Sequence, residues 1–128
     1  MEFLRGKTAI VTGAGGGIGE AICKKLADLG MNLVITGRKG QALEELAAQL
    51  PTKVQCCVGD LQELSFVDRL LAETREVFGS VDVIINNAGL SHNCPVEEMT
   101  PELFDSIMRV NVRAPYFLCQ KAVEDLKK

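Results

Sequence analysis

A glycine-rich run near the start of the chain limits the possible fold more than any other feature. Residues 12–19 read TGAGGGIG, directly after the apolar run TAIV at 8–11 and directly before an amphipathic stretch at 20–29. In a turn between a strand and a helix, glycines let the backbone bend tightly and approach a pyrophosphate without a clash from Cβ. The following helix directs its free N–H groups and positive dipole end at the anion. The run therefore predicts a dinucleotide phosphate site.

The spacing of these glycines excludes other phosphate-binding loops. Gly13, Gly17 and Gly19 give the pattern G-x-x-x-G-x-G, and Ile18 stands where G-x-G-x-x-G would require a glycine. No Gly-Lys-Ser/Thr follows, so the run is not a P-loop. On the glycines alone, a connector between a strand and a helix without any ligand is the alternative.

The rest of the chain alternates apolar runs with amphipathic stretches. The apolar runs are nearly continuous, as a parallel sheet covered on both faces requires. We predict strands at 7–12, 32–37, 53–59 and 81–86, and helices at 17–29, 40–49, 63–78 and 101–126. Gly30 fits a helix C-cap, and Thr100 followed by Pro101 fits a helix start. The expected fold class is α/β, a Rossmann-type doubly wound parallel sheet with about the first four strands and their helices.

Composition narrows the classes of function. The 128 residues suffice for one domain, and the net charge of −3 with interspersed signs indicates neither a nucleic-acid nor a membrane partner. No apolar run reaches the ~20 residues that span a bilayer, and no signal-peptide stretch begins the chain, so we expect a cytoplasmic protein. The five cysteines lack C-x-x-C spacing, which favours free thiols and no metal site.

A second motif makes a family resemblance specific. Asn86-Asn87-Ala88-Gly89 follows the fourth apolar strand, where small residues let a ligand pass close over the carboxyl end of the strand. Together with TGxxxGIG at this separation, the sequence resembles the classical short-chain dehydrogenase/reductase family from residue 7 to residue 128. The resemblance implies a strand order of 3-2-1-4. It also implies hydride transfer between a nicotinamide coenzyme and a small carbonyl or alcohol substrate.

The resemblance also implies coenzyme-binding positions in this sequence. Six of them would line the pyrophosphate turn: Gly13, Gly15, Gly16, Gly17, Ile18 and Gly19. Asp60, followed by Leu61, looks like the acid that binds the adenine amino group. The alternative for Asp60 is a favourable charge before a helix. Three more would pass the ribose and nicotinamide: Asn87, Ala88 and Gly89. The alternative for Asn86 or Asn87 is a structural role, in which the side chain ties the strand to its neighbours.

The end of the second strand indicates the choice of coenzyme. An acid there would bond the 2′-hydroxyl of NAD(H), but residues 36–39 read TGRK and contain none. Arg38 offers a planar fork suited to a phosphate, which favours NADP(H) over NAD(H). The alternative is a solvated basic pair of Arg38 and Lys39. Many NADP-preferring members carry a second basic residue where this chain has Gly16, so the preference is expected to be modest.

Pro115 lies inside the last predicted helix. It cannot donate to the carbonyl four residues earlier, which belongs to Asn111. We therefore predict a kink or bulge at 111–115 that frees this carbonyl. The resemblance assigns Asn111 to the catalytic tetrad, where its carbonyl holds a water in the proton relay. A proline between two ordinary helices is the alternative.

The family's catalytic Tyr-x-x-x-Lys is not found in these 128 residues. Tyr116 is the single tyrosine and has Gln120 four residues later, so we reject it as the catalytic residue. We expect residues 1–128 to be one NAD(P)-binding domain, cut before the catalytic Ser and Tyr-x-x-x-Lys and inactive alone. Apolar residues of the last helix predict a homo-oligomer. The alternatives are a non-catalytic NADP(H) sensor and a partner-dependent interaction module.

Overall fold

Residues 2–128, the part of the chain that the computed structural model describes, form a parallel four-stranded sheet with helices on both faces. The strands are β1 (Thr8–Thr12), β2 (Asn32–Gly37), β3 (Val54–Val58) and β4 (Val83–Ile85). The helices are α1 (Gly17–Asp28), α2 (Gly40–Ala47), α3 (Leu64–Phe78), α4 (Pro101–Met108), α5 (Ala114–Lys121) and α6 (Val123–Leu126). The order β3-β2-β1-β4 confirms the predicted fold class and strand order.

Strand side chains alternate between two apolar cores. Ile35 and its neighbours on one face pack against α1 and α2. Ile10 and Val34 on the other face pack against α3 and α5. Because β1 and β2 are covered on both sides, every position of their central segments is apolar and inaccessible to water. This arrangement accounts for the continuous apolar runs in the sequence.

Two predicted helix boundaries are confirmed by their capping geometry. Gly30 follows α1 with φ +83°, a conformation that a residue with a Cβ rarely adopts. At the start of α4, the Thr100 hydroxyl accepts a hydrogen bond from the Leu103 N–H at 3.1 Å. Pro101 occupies the first turn, where its missing N–H costs nothing.

The last predicted helix, 101–126, is helical but not continuous. A π-helical segment, Arg109–Arg113, separates α4 from α5, and a second break at Ala122 separates α5 from α6. The first break was expected from Pro115, and the second was not. At the second break, Ala122 leaves the α-helical region with φ −99° and ψ 3°. Short 3₁₀ turns at Glu2–Leu4 and Val96–Glu98 were also not predicted.

Strand β4 lies at an edge of the sheet and is shorter than expected. Both backbone groups of Thr8 are hydrogen-bonded to Asp82. The Thr8 N–H donates to the Asp82 carboxylate, and the Thr8 carbonyl accepts from the Asp82 N–H, each at 2.9 Å. Beyond the sheet, helices α4 to α6 present an exposed apolar face. We call it the apolar face, and its large side chains are Phe104, Met108, Val112, Tyr116, Val123 and Leu126.

The Asp125 carboxylate links α6 to the connection between α3 and β4. It accepts from the Val81 N–H at 3.0 Å and from the Arg75 guanidinium at 3.1 Å. The guanidinium, followed by the Val81 N–H, holds the pKa of Asp125 below its ordinary value of 3.8. A group with a lowered pKa stabilises the fold above its unfolded-state pKa, and this stabilisation is lost as the pH falls through the folded-state pKa.

We predict that Asp125→Asn lowers the free energy of unfolding by about 1 kcal/mol at neutral pH, because the charged partner of Arg75 and Val81 is lost. Chemical denaturation over a pH series measures the difference from the wild type. The difference should shrink as the pH falls below 3.8 and disappear only below the lowered pKa of Asp125, where the folded wild type also takes up a proton. Glu124→Gln is the control, since it removes the same charge from an exposed neighbour. An equal loss of stability in both variants would contradict the role assigned to the Asp125 carboxylate.

Candidate functional site at the carboxyl edge of the sheet

The glycine-rich turn after β1 is joined to the end of β4 by one hydroxyl group. Thr12 Oγ1 accepts hydrogen bonds from the N–H groups of Asn87 and Ala88, both at 3.0 Å. The Asn87 side chain donates in turn to the Gly13 carbonyl at 3.1 Å. The two sequence motifs, about 75 residues apart, therefore form one structural unit.

Two glycines of the turn are required by close packing. Gly13 has φ +64°, and a Cβ there would lie 2.8 Å from the Ala88 Cα. A Cβ on Gly19 would overlap the Gly13 carbonyl oxygen and lie 2.8 Å from the Ala14 Cα. These positions let the first turn of α1 and the end of β4 lie against the same short loop.

The other glycines of the turn leave backbone groups open. A Cβ on Gly17 would meet nothing within 4 Å, and one on Gly15 would meet only the Ala42 Cβ at 3.7 Å. The first helical hydrogen bond of α1 runs from Glu20 to Gly16, so the N–H groups of the three residues between them have no helical acceptor. Ile18, which is one of the three, has 73% of its surface exposed. This group of donors at a helix start suits an anion.

A cavity of about 170 Å³ lies beside the turn, and we call it the carboxyl-edge cavity. Its walls come from the last two residues of β2, from the segments that follow β1, β2, β3 and β4, and from one residue of the π-helical segment. The lining residues are Gly13, Thr36, Gly37, Arg38, Gly59, Asp60, Leu61, Gln62, Ala88, Gly89, Leu90 and Val110. A second groove continues from it along Gly15, Gly16 and Lys39, and the two share Gly13, Gly37 and Arg38.

Thr36 contributes an unsatisfied hydroxyl to the wall of the carboxyl-edge cavity. Its Oγ1 is buried and has no hydrogen-bond partner within residues 2–128. A buried hydroxyl without a partner is costly, so a polar group of a ligand in the cavity would stabilise it. Sequence reasoning missed Thr36, because a threonine near the end of a strand is ordinary there.

Arg38 and Asp60 face the cavity from neighbouring strand ends. Arg38 is exposed, and its guanidinium has no ion-pair partner among the residues that the structure describes. Asp60 Oδ1 accepts from the Gln62 N–H at 2.9 Å, which shapes the turn before α3. The Asp60 carboxylate therefore forms the turn through Oδ1 and has Oδ2 left for a ligand.

The π-helical segment places Asn111 at the opposite rim. Both atoms of its side-chain amide are engaged by Leu90: Oδ1 accepts from the Leu90 N–H at 2.8 Å, and Nδ2 donates to the Leu90 carbonyl at 2.7 Å. The Ala114 N–H donates to the Arg109 carbonyl, five residues back. Since Pro115 has no N–H, the Asn111 carbonyl receives no α-helical hydrogen bond. A bulge is present as predicted, but it lies at Arg109–Arg113 and not at 111–115.

The predicted site residues differ in what they contribute to the candidate site. Gly19 and Asn87 serve the packing of the turn itself, whereas Gly17, Ile18 and Asn111 line neither the carboxyl-edge cavity nor the groove. Eight predicted residues line the cavity or the groove: Gly13, Gly15, Gly16, Arg38, Asp60, Leu61, Ala88 and Gly89. Sequence reasoning missed Thr12, Gln62, Leu90 and Arg113, which act through long-range hydrogen bonds that no local pattern reveals.

All five cysteines have free thiols. Burial, followed by a hydrogen bond to Glu73 at 2.7 Å, raises the pKa of Cys57 to about 12, and burial raises that of Cys23 to about 11. Neither thiol is therefore a nucleophile at neutral pH. Residues 2–128 contain no group of three side chains placed to hold a metal ion. In the same range, every helix is too short or too polar to cross a bilayer.

Comparison with known proteins gives a consistent result. The profile of the short chain dehydrogenase family matches residues 7–128. An uncharacterized oxidoreductase of Staphylococcus epidermidis is 35% identical over 128 residues, which cover 100% of this chain and 56% of that protein. The chain spans about half the length of the curated relatives it matches.

Two solved structures extend the comparison to coenzyme complexes. The crystal structure of a metagenomic short-chain oxidoreductase with NADP is 31% identical, with a TM-score of 0.91 over 96% of this chain and 57% of that one. The structure of a 3-ketoacyl-(acyl-carrier-protein) reductase from Brucella melitensis with NADH is 35% identical, with a TM-score of 0.91 over 97% of this chain and 51% of that one.

The packing of the turn predicts different results for two glycines of α1. Gly19→Ala should lower the free energy of unfolding by about 1–3 kcal/mol, because its Cβ meets backbone atoms that must shift. Gly17→Ala is the matched control and should be neutral or stabilise by about 0.5 kcal/mol, since its Cβ meets open space. Denaturant unfolding of both variants measures the difference. Equal stability would contradict the described contact between α1 and the turn.

Proposed function

The chain belongs to the short-chain dehydrogenase family, and we propose that it binds NADP(H) for hydride transfer with a carbonyl or alcohol substrate. The observation that carries the proposal is the carboxyl-edge cavity, which the Arg38 side chain, without an ion pair among residues 2–128, and the unpaired buried Thr36 hydroxyl line, beside the turn whose backbone donors are open. A nicotinamide coenzyme, when bound, supplies or accepts the hydride. The protein's residues bind and orient the coenzyme and the substrate, and they move the protons.

The glycine-rich turn fits a pyrophosphate. Residues 15–18 are exposed, and the glycines among them have no Cβ to keep a phosphate from the backbone. The start of α1 adds its positive dipole end to the N–H groups there. We infer that Gly15, Gly16, Gly17 and Ile18 contact the phosphates, and that Gly13 and Gly19 shape the turn.

Arg38 supports a preference for NADP(H). Its unpaired guanidinium stands at the end of β2, where an NAD-selective site would carry an acid. A planar guanidinium binds a phosphate through two hydrogen bonds, so Arg38 would hold the 2′-phosphate. The two solved structures compared above are complexes with NADP in one case and with NADH in the other.

The adenosine half fits the rest of the carboxyl-edge cavity. The Asp60 carboxylate can accept from the adenine amino group, and the Thr36 hydroxyl can bind a polar atom of the same moiety. Leu61 and Val110 supply apolar surface. Asn87, Ala88 and Gly89 continue toward the nicotinamide side, and Ala88 and Gly89 leave room for close approach.

Asn111 is proposed as the catalytic residue of this chain. Its side chain is fully used by Leu90, so the group left for chemistry is the backbone carbonyl. Opposite Pro115, this carbonyl can accept a hydrogen bond from a water of the proton relay. The side chain then positions the loop after β4, and the carbonyl holds the proton carrier.

Residues 1–128 are proposed to be one coenzyme-binding domain that does not catalyse alone. Tyr116, the single tyrosine in the sequence, has Gln120 rather than lysine four residues later. We further propose a homo-oligomer through the apolar face and a cytoplasmic location, which the free thiols support. The relatives are oxidoreductases, so a non-catalytic sensor or interaction module is not favoured.

We predict that the chain binds NADPH more tightly than NADH and that Arg38→Asp inverts this preference. Loss of charge-assisted hydrogen bonds to the 2′-phosphate should weaken NADPH binding by about 10- to 100-fold, and an acid at this position should strengthen NADH binding. Coenzyme fluorescence titration measures both dissociation constants.

Lys53→Asp is the control for the reversed charge. Lys53 is exposed just before β3, at the other end of the sheet, so its reversal should change both dissociation constants only slightly. If Arg38→Asp leaves the preference for NADPH over NADH unchanged, Arg38 is not part of the coenzyme site. Absence of binding to the wild type would contradict the proposed function itself.

A further inference from the structure

Arg113 is a partly buried cation without an acidic partner. Its Nη2 donates to the Gln62 carbonyl at 2.6 Å, and its Nε is buried without a hydrogen-bond partner within residues 2–128. The structure describes no ion pair for it in the same range. Burying part of a guanidinium costs free energy, so the contact with Gln62 calls for an explanation other than general stability.

The peptide groups of Gln62 are held from two sides. Asp60 Oδ1 accepts from the Gln62 N–H at 2.9 Å, and Arg113 donates to the Gln62 carbonyl. Asp60, Leu61 and Gln62 all line the carboxyl-edge cavity. Arg113 therefore fixes a wall of the cavity without lining it.

The π-helical segment also holds the other wall. Asn111 binds both backbone groups of Leu90, which lines the cavity from the end of β4. Asn111 contacts Leu90 after β4, whereas Arg113 contacts Gln62 after β3, so the two side chains reach different walls of the cavity. Val110 lines the cavity between them. One five-residue segment thus contacts both walls.

We propose that Arg113 is a positioning residue that couples the adenosine side of the cavity to the helical segment carrying Asn111. This inference rests on the proposed function and deepens it. Through the Gln62 carbonyl, Arg113 keeps Asp60 and Leu61 where they meet the adenosine half of the coenzyme. A ligand that orders the turn at 60–62 therefore also orders the π-helical segment, and with it the Asn111 carbonyl.

Binding of coenzyme fragments to Arg113→Met tests the positioning role. The variant should bind NADPH and 2′,5′-ADP about tenfold more weakly, because the charged hydrogen bond to the turn is lost. Binding of reduced nicotinamide mononucleotide should be unchanged. Arg113→Lys should restore part of the affinity for 2′,5′-ADP, since it retains a charged donor.

Arg109→Met is the matched control, because it removes the same charge from the same segment and Arg109 has no side-chain hydrogen bond among residues 2–128. It should leave all three affinities within about twofold. Equal weakening in both variants, or equal weakening for all three ligands, would overturn the positioning role. Failure of the wild type to bind any of the three ligands would contradict the proposed function as well.

Hydrogen exchange on the wild type keeps the inference testable if Arg113→Met does not fold. Saturation with 2′,5′-ADP should slow amide exchange in the turn at 60–63 and also in the π-helical segment, Arg109–Arg113. Slower exchange in the turn alone would overturn the coupling. Slower exchange in both segments that Arg113→Lys keeps in part would support the coupling further, since this variant retains a charged donor.

Discussion

The contact between the glycine-rich turn and the end of β4 is the constraint on which the candidate site depends. Gly13 lies so close to Ala88 that no side chain fits between them, and the Thr12 hydroxyl binds two N–H groups of the opposite segment. Because the carboxyl ends of parallel strands meet at one edge, this contact fixes where the walls of the cavity stand. The start of α1 is fixed by the same turn through Gly19.

A single missing N–H group gives the other side of the site its shape. Pro115 cannot donate to Asn111, and the helix responds with a π-helical segment instead of ending. The segment turns Val110 into the cavity, Asn111 toward Leu90 and Arg113 toward Gln62. A continuous α-helix would present these side chains at a different angle. The local irregularity is therefore part of how the walls of the cavity are held.

The features that sequence reasoning predicted are local ones. Continuous apolar runs predicted the strands, the glycine spacing predicted the turn, and Pro115 predicted the bulge. The features it missed join distant residues: Thr12 with Asn87, 75 positions apart, and Arg113 with Gln62, 51 positions apart. A hydroxyl or guanidinium carries no signal about which distant carbonyl or N–H it will meet. The break at Ala122 was missed for a different reason, because alanine locally favours a continuous helix.

Amide NMR titration of the chain with NADPH tests the central claim most directly, since it reports the location of binding for each residue. The account predicts saturable shifts in four segments that adjoin the carboxyl-edge cavity: 13–19, 36–38, 59–62 and 87–90. Smaller shifts should follow in the π-helical segment, and the apolar face should not change. Absence of saturable shifts, or shifts confined to the apolar face, would contradict the account.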